Sequence, residues 1–345
     1  MKSEKPYLRI ATEEAFATAD QYKLYQREIE RNPPDEPGFM SLWGFFLISK
    51  DPYPLNVRER LLDLDERRIH DMDETGIDRQ VIFLTAPGVQ IFDAPTANAL
   101  AVSSNDELAA ACKKHPDRFT GLAAVAPQDP QTAAKELERC VKTLGMKGAV
   151  INSHTKGEYL DNHKFWDIFA AAEALDVPIY LHPRNPSPKL LEPMREVGLD
   201  AAIYGFGVET GLHLLRIITG GVFDRFPRLR IVVGHLGEAL PFWLYRIDHM
   251  HAANTRAGRH TKLKKLNKKP SDYMRENIYI TTSGMAWEPA IKFTQDVLGM
   301  DRVLYAMDYP YQFIKAEVDI TDNLKISAAA RKKLFQTNAE KVFSI

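Results

Sequence analysis

Eight short runs of β-forming, apolar residues recur along the 345-residue chain, and most are separated by segments with the apolar spacing of helices. Most runs are continuously apolar rather than alternating, which is typical of parallel strands buried on both faces. Several follow a helix-ending glycine. The predicted strands are Leu8–Glu14, Arg79–Thr85, Phe119–Ala126, Lys147–Asn152, Pro178–His182, Arg230–Gly234, Ile278–Ser283 and Arg302–Met307.

Alternating strands and helices predict right-handed parallel crossovers, and eight such strands predict an α/β fold, the (β/α)₈ or TIM barrel. The alternative is an open, doubly wound sheet with a nucleotide fingerprint. The sequence contains neither G-x-G-x-x-G nor G-x-x-x-x-G-K-[ST], which favours the barrel. A barrel of this size folds as one unit, so we expect a single domain over residues 1–345.

Three segments exceed the simple repeat: residues 18–56, 184–208 and 250–272. Each follows a strand, so we expect all three to be insertions on the C-terminal face of the barrel, as a lid or a subunit contact. The first contains Phe39–Ile48 (FMSLWGFFLI), which is too apolar to lie exposed on a monomer. We therefore expect it to pack over the barrel mouth and against a neighbouring subunit of a homodimer or homotetramer.

Composition excludes some classes of partner. The formal net charge is −1, so nothing indicates a nucleic acid or an anionic membrane. No stretch approaches the ~18 apolar residues of a membrane span, and the N-terminus has no apolar signal core. Cys112 and Cys140 lie in predicted helices without motif spacing, which indicates a reduced compartment. We expect a cytoplasmic protein.

Polar residues end several of the apolar strands. Glu13 lies at the end of the first strand, His182 at the end of the fifth, and Asp308 follows the eighth. In a barrel these ends meet at one face, where a charged group is costly to bury unless it is paired, hydrogen-bonded or bound to metal. Each residue alone could have a structural role. Together they supply two oxygen ligands and one nitrogen ligand, enough for one divalent metal ion with open positions.

His235 follows the sixth strand within Gly234-His235-Leu236-Gly237-Glu238. It could be a fourth metal ligand, or a base and hydrogen-bond donor beside the metal. The structural alternative is a histidine that caps the following helix, with Glu238 as its partner. His154, which follows the fourth strand, could belong to the same site or could equally be a polar residue of its loop. The sequence has no G-x-S-x-G and no cysteine at a strand end, so a nucleophilic mechanism has no support.

At these residues the sequence resembles the amidohydrolase superfamily, in the branch of metal-dependent, non-oxidative aromatic acid decarboxylases. Within it, the resemblance is closest to the 5-carboxyvanillate decarboxylases, with γ-resorcylate and 2,3-dihydroxybenzoate decarboxylases as relatives. The resemblance runs through nearly the whole chain. The stretches that carry it are Ala11-Thr12-Glu13-Glu14-Ala15-Phe16, Tyr180-Leu181-His182-Pro183, Gly234-His235-Leu236-Gly237-Glu238 and Met307-Asp308-Tyr309-Pro310.

The resemblance implies that Glu13, His182 and Asp308 bind the metal, with His235 adjacent. Ala15 stands where the family often has a further metal-binding histidine, as it does in the carboxyvanillate branch. The site is then richer in oxygen, and a binuclear hydrolase is disfavoured. The implied substrate contacts are Arg60, Phe206, Arg246 and Tyr311.

The implied substrate is a small aromatic carboxylate that loses CO₂ after protonation of its ring carbon. Asp308 would deliver that proton, and His235 with Glu238 would poise it. Two carboxylates and one imidazole suit Mn²⁺ best and Zn²⁺ next. The alternatives are a metal-dependent lactonase, an aminocarboxymuconate-semialdehyde decarboxylase and a non-catalytic scaffold. Measuring CO₂ release against lactone opening distinguishes a decarboxylase from the lactonase. The metal-binding histidine that Ala15 replaces argues against the aminocarboxymuconate-semialdehyde decarboxylase. Bound metal content tests the scaffold.

Overall fold

The computed structural model describes residues 6–33 and 35–345, and its nine strand segments pair in parallel. The third and fourth segments are separated by one residue and continue one strand, so the nine correspond to the eight predicted strands. The segments are β1 (Ile10–Phe16), β2 (Arg79–Leu84), β3 (Phe119–Gly121), β4 (Ala123–Ala124), β5 (Ala149–Asn152), β6 (Ile179–His182), β7 (Ile231–Val233), β8 (Ile278–Thr281) and β9 (Val303–Leu304).

Backbone hydrogen bonds join these segments into a closed barrel. The strand order is β1-β2-β3 in one sheet and β4 through β9 in the other. Leu122, between β3 and β4, donates its N–H to the carbonyl of Ile82 at 2.9 Å, so the two sheets are continuous. On the other side, Thr12 of β1 donates to the carbonyl of Tyr305 at 3.0 Å. The predicted (β/α)₈ barrel is therefore confirmed.

The barrel interior is filled with side chains rather than hollow, as in other barrels of this size. Its amino end is closed by the last helix of the chain, which contributes Ala339, Val342 and Phe343. The strand residues of this inner cluster are Ile10, Val81, Phe83, Leu122, Val150, Tyr180, Val232, Tyr279 and Leu304.

The helices surround the strands, and several begin where the sequence offers a cap. Thr18, Asp93 and Asp129 accept hydrogen bonds from backbone N–H groups in the first turns of the helices that follow them. The helices are α1 (Ala19–Arg31), α2 (Pro37–Ile48), α3 (Pro52–Leu62), α4 (Glu66–Thr75), α5 (Ala94–Lys114), α6 (Pro130–Lys142), α7 (Trp166–Ala174), α8 (Pro188–Arg195), α9 (Gly205–Thr219), α10 (Val222–Arg225), α11 (His235–Glu238), α12 (Leu240–Arg256), α13 (Pro270–Glu276), α14 (Glu288–Leu298), α15 (Lys315–Asp322), α16 (Ala328–Lys332) and α17 (Asn338–Phe343), with short 3₁₀ or π turns at His163–Phe165, Met300–Arg302 and Lys333–Thr337.

The first insertion folds as α1, α2 and the start of α3, and α2 is the apolar segment noted in the sequence. Phe39, Trp43 and Phe46 are buried within the chain itself. Trp43 donates its indole N–H to the carbonyl of Ala86, just beyond β2, at 2.8 Å. The segment therefore lies at the C-terminal end of the barrel. Because most of its apolar surface is covered internally, its composition does not by itself require a partner subunit.

The second insertion is joined to the first at the same end of the barrel. Arg184 forms a buried ion pair with Glu36 and also donates to the carbonyl of His154 at 3.1 Å. Gly38 allows α2 to approach closely, since a Cβ there would lie 2.5 Å from the Cβ of Asn185. The two insertions therefore pack together and cover this side of the mouth of the barrel.

The third insertion lies at the other end, so its predicted place on the catalytic face is wrong. The chain remains helical through the 17 residues of α12, about 25 Å at 1.5 Å per residue, which carries it along the barrel. Lys264 then donates to the carbonyl of Gly220 at 2.8 Å, and Tyr273 bonds to Asp224. Gly220 and Asp224 precede β7, so this segment lies beside the amino ends of the strands.

Cys112 and Cys140 lie in α5 and α6 as predicted, and both are free thiols. Among the described residues, no helix combines the length and apolar character needed to cross a bilayer.

Neighbouring phenylalanines of α2 test how this segment is buried. Phe46 is 5% exposed and Phe45 is 47% exposed. Phe46→Ala should lower the free energy of unfolding by about 3–5 kcal/mol because it leaves a cavity, whereas Phe45→Ala should cost less than about 1 kcal/mol. Urea unfolding at low protein concentration measures both. Equal losses would mean that Phe45 is also buried, against a second subunit.

Candidate active site

An irregularity in β1 allows two consecutive glutamates to be buried at the mouth. Ala11 pairs with Gln80, but Glu14 then pairs with Ile82, so β1 holds one residue more than β2 over this stretch. Successive residues of a regular strand point to opposite faces, whereas a bulge re-aims a side chain. Glu13 and Glu14 are 1% and 0% exposed, and each carboxylate finds its own set of donors.

The carboxylate of Glu13 is held through one oxygen and leaves the other without a partner. Its Oε2 accepts hydrogen bonds from the Tyr180 hydroxyl and from Thr281 Oγ1, the latter at 2.7 Å. A Cβ on Gly234 would lie 2.6 Å from the same oxygen, so the carboxylate packs directly on this glycine. Its Oε1 is buried and has no hydrogen-bond partner among the described residues. One rigidly placed acceptor is thus available to a ligand.

Two histidines face this free oxygen. The Nε2 atoms of His182 and His235 lie 3.6 Å and 3.8 Å from Glu13 Oε1. Burial lowers the pKa of His182 to about 4, although the charge of Glu13 opposes this. His182 is therefore a neutral imidazole at pH 7, the form that binds metal.

His235 lies in a tight turn with Glu238. Its Nδ1 is 2.9 Å from Glu238 Oε1, and both residues have left-handed backbones, with φ of 49° and 54°. Desolvation lowers the pKa of His235, but the charges of Glu238 and Glu13 outweigh it and raise the pKa to about 10. In the arrangement described, His235 carries a proton and can donate at Nε2 toward the mouth.

Asp308 lies on the same side of the mouth, next to His235. Gly284 separates them: a Cβ there would be 3.4 Å from His235 Cδ2 and 3.7 Å from Asp308 Oδ2. Desolvation raises the pKa of Asp308 to about 8, the charge of Glu13 adds to this, and His235 opposes it. Two neighbouring carboxylates destabilise each other's charged form, and a bound cation would relieve that repulsion.

The donor set fits a divalent cation. A free carboxylate oxygen, a neutral imidazole and a second carboxylate are the ligands that such ions bind through oxygen and nitrogen. Two ligands at about 2.1 Å from an ion lie roughly 3 Å apart. In the part of the chain described, no three His, Cys, Asp or Glu side chains already form such a cluster, so the 3.6 Å separation would have to shorten on binding.

The other predicted residues are distributed unevenly around the mouth. Arg60 is occupied, with its Nε 2.8 Å from Asp71 Oδ2. The Tyr311 hydroxyl lies 2.5 Å from Thr85 Oγ1, beyond β2. Arg246 is exposed on α12 and makes no side-chain hydrogen bond or ion pair with the residues described. Of the two guanidinium groups, that of Arg60 would have to leave Asp71 before it could bind a ligand.

Phe206 and His154 have different surroundings. Phe206 is half-buried at the start of α9, where the next residue, Gly207, lies against Glu238: a Cβ there would be 2.9 Å from Glu238 Oε2. The start of α9 therefore borders the mouth. Both ring nitrogens of His154 lie within hydrogen-bond distance of backbone atoms, at 3.1 Å from Gly157 N and 3.2 Å from the Asn185 carbonyl. His154 stabilises its loop and is not free to bind metal.

A cavity of about 450 Å³ opens beside His235 and is lined mainly by apolar side chains. Its wall includes Leu236, Met285, Trp287 and Phe293. An apolar cleft with a few polar groups at one end is the usual form of a small-molecule site.

Three residues that hold Glu13, and one that lies beside it, were not predicted as site residues from the sequence. Tyr180 precedes His182 by two positions, so strand alternation alone places both on one face and could have indicated it. Thr281 ends its strand, as the predicted acids do. Gly234 and Glu14 gave no usable signal, because a close approach and a bulge depend on the folded backbone.

The chain is similar to several known proteins over most of its length. Residues 53–345 match the model of the amidohydrolase family. The γ-resorcylate decarboxylase of Polaromonas sp. is 38% identical, over 98% of this chain and 98% of that protein. The manganese-bound crystal structure of 5-carboxyvanillate decarboxylase from Novosphingobium aromaticivorans, a mutant with a nitrobenzoic acid ligand, has a TM-score of 0.98 and 53% identity, over 99% of this chain and 98% of that chain.

A further solved structure is more distant. The dihydroxybenzoic acid decarboxylase of Polaromonas sp., with manganese and the inhibitor 2-nitroresorcinol, has a TM-score of 0.84 and 37% identity, over 98% of this chain and 97% of that chain. These similarities cover nearly the full length of both chains in each comparison, and the relatives are named as decarboxylases of aromatic acids. The chain therefore belongs to the amidohydrolase family, in its branch of metal-dependent aromatic acid decarboxylases.

Proposed function

We propose that this chain removes CO₂, without oxidation, from an aromatic acid that carries a hydroxyl group ortho to the carboxylate. A 5-carboxyvanillate-like acid is the first candidate, and γ-resorcylate or 2,3-dihydroxybenzoate the next. The observation that carries the proposal is the buried, unpartnered Oε1 of Glu13, which faces His182 and His235 beside Asp308. The 53% identity to a 5-carboxyvanillate decarboxylase supports the choice of acid.

One divalent ion would be held by Glu13, His182 and Asp308. Mn²⁺ is favoured because the set is rich in oxygen and because manganese is present in two of the related structures; Zn²⁺ is second. When bound, the ion supplies positive charge that orients a phenolate and a carboxylate and offsets their charge. His235 is either a fourth ligand or a base and hydrogen-bond donor beside the metal.

Asp308 is the proposed proton donor. It transfers a proton to the ring carbon that bears the carboxylate, which interrupts aromaticity. The bond from that carbon to the carboxylate then breaks, its electrons return to the ring, and CO₂ leaves. The net reaction consumes one proton, which His235, paired with Glu238, is placed to resupply.

A second carboxylate on the substrate requires a cation at the rim. A planar guanidinium binds a carboxylate through two hydrogen bonds. Arg60 would have to exchange its contact with Asp71 for the substrate, whereas Arg246 has no such partner among the described residues. Phe206 and Tyr311 remain candidates for contact with the ring.

We also propose that the chain assembles as a homodimer or homotetramer, with an aromatic surface on and beside α12 as a contact. Phe242, Trp243, Tyr245, Trp287 and Phe293 are between 41% and 87% exposed. Phe242 and Phe293 are in ring contact, at 6.1 Å between centroids. Contiguous apolar patches of this kind usually mark interfaces.

Metal binding is tested first by removing one ligand. Chelation followed by Mn²⁺ reloading should restore CO₂ release, and elemental analysis should find about one ion per chain. His182→Ala should lose most of the ion, because the imidazole has no substitute. His154→Gln, which changes a histidine outside the proposed ligand set, should keep it. A His182→Ala variant with full metal content would remove His182 from the site.

The proton donor is tested with Asp308→Asn. The amide keeps the size of the side chain and a metal-binding oxygen but cannot shuttle a proton, so metal should be retained while kcat falls at least ~10²-fold. In deuterated water, the wild type should place deuterium at the carbon that lost CO₂. Near-normal kcat with metal bound would show that the proton comes from elsewhere, with His235 as the next candidate.

The assembly surface is tested with two matched substitutions. Tyr245→Asp introduces a charge in the aromatic surface on α12, and Phe45→Asp does so on the first insertion. Sedimentation at micromolar concentration should show an oligomer for the wild type and monomers for Tyr245→Asp. Dissociation by Phe45→Asp alone would move the contact to the first insertion. A stable, active wild-type monomer would contradict both surfaces.

A further inference from the structure

We propose that Glu14 is a positioning residue for the reaction, which holds the backbone around Asp308 so that its carboxyl group faces the substrate. The inference rests on the proposed role of Asp308 as proton donor. Glu14 neighbours Glu13 in sequence but is directed to a different part of the mouth.

Asp308 has an uncommon backbone conformation. Its φ is +71°, in the left-handed region that residues with a Cβ rarely occupy. Such conformations persist where the surroundings fix them, and they cluster at functional sites. Among the described residues, the carboxyl group of Asp308 makes no hydrogen bond or ion pair within the usual limits. Its direction is therefore set by the backbone.

Glu14 supplies that constraint. Its Oε1 accepts the N–H of Met307 at 3.0 Å, and its Oε2 accepts the N–H of Tyr309 at 3.1 Å. One carboxyl group thus binds the backbone N–H groups of the residues before and after Asp308. The ladder between β8 and β9 ends at Leu304, so these N–H groups are beyond the reach of regular strand pairing. The side chain takes the place of a neighbouring strand and allows the chain to turn at Asp308.

The surroundings keep Glu14 and its partners in place. The N–H of Ala15 donates to the carbonyl of Tyr309 at 2.7 Å, and the buried Arg68 donates to the carbonyl of Ala15 at 2.7 Å. The Tyr309 hydroxyl donates to Asp71 at 2.9 Å. The backbones of Ala15 and Tyr309, the residues that follow Glu14 and Asp308, are thus fixed to each other.

The hydrogen bonds account for an acid at this position. Glu14 is fully buried and forms no ion pair within 4 Å among the described residues, and burial raises the pKa of its carboxyl group to about 8, although the N–H groups of Met307 and Tyr309 oppose this. Its two hydrogen bonds both come from the N–H groups of the residues on either side of Asp308. An apolar side chain would fill the space but would leave both N–H groups unpaired. A symmetric acceptor is what the two donors require.

The test compares Glu14→Gln with the wild-type holoenzyme. The amide presents one oxygen and one NH₂ group, so it can satisfy only one of the two N–H donors. We expect kcat to fall at least ~10-fold, because a small displacement of a catalytic group has a large effect on rate, while KM and Mn²⁺ affinity change less than about threefold. Glu14→Asp, too short to reach both donors, should act in the same direction. Glu136→Gln, a buried acid of α6, is the control.

A double variant separates positioning from general loss of structure. If Glu14 acts through Asp308, then adding Glu14→Gln to Asp308→Asn should slow the reaction less than about twofold further, because both changes affect one step. A further tenfold loss in the double variant would overturn the inference. Wild-type kcat in both Glu14→Gln and Glu14→Asp would overturn it as well.

A crystal structure of Glu14→Gln decides the geometry independently of activity. The inference expects Asp308 to leave the positive-φ region or its carboxyl group to move. An unchanged Asp308 would overturn the inference whatever the rate. If the wild type releases no CO₂ from any hydroxybenzoate, the proposed function fails, and the crystal structure still decides whether Glu14 holds Asp308.

Discussion

The hydrogen bonds between β1 and the chain that follows β9 are the constraint on which the rest of the structure depends. Thr12 bonds to Tyr305 through both its N–H and its hydroxyl, at 3.0 Å and 2.8 Å. This seam closes the barrel and brings Glu13 and Glu14 beside Asp308, which lies almost 300 positions away. Without closure, the strand ends would be separate loops and their acids would be solvated.

The seam also explains how so many charges are tolerated at one place. Carboxylates taken out of water need donors or counter-charges. Glu13 receives two hydroxyl donors on one oxygen, and Glu14 receives two peptide N–H groups. Glu13 Oε1, which has no hydrogen-bond partner among the described residues, and Asp308 face the histidines at the mouth. The fold therefore satisfies Glu14 and one oxygen of Glu13, and leaves free the groups that we propose bind the metal and react.

The sequence predicted the strands well because a buried parallel strand is a continuous apolar run. Ile278–Thr281, for example, lies within its predicted bounds. It also placed Glu13, His182 and Asp308 at converging strand ends. The role of Glu14 was hidden, since regular alternation sends it to the opposite face and the bulge is visible only in the pairing with β2. The position of residues 250–272 was wrong because periodicity did not show how far α12 extends.

The closure of the barrel by α17 has a consequence for how the barrel folds. Ala339, Val342 and Phe343 pack against inward side chains from the strands around the barrel. The innermost core is therefore incomplete until α17 has docked on these strands. Ile10 of β1 belongs to the same cluster, so this core joins segments that are far apart in sequence, and contacts of such high sequence separation make folding slow. A barrel that still lacks α17 leaves apolar strand residues uncovered, which is the stage most open to aggregation.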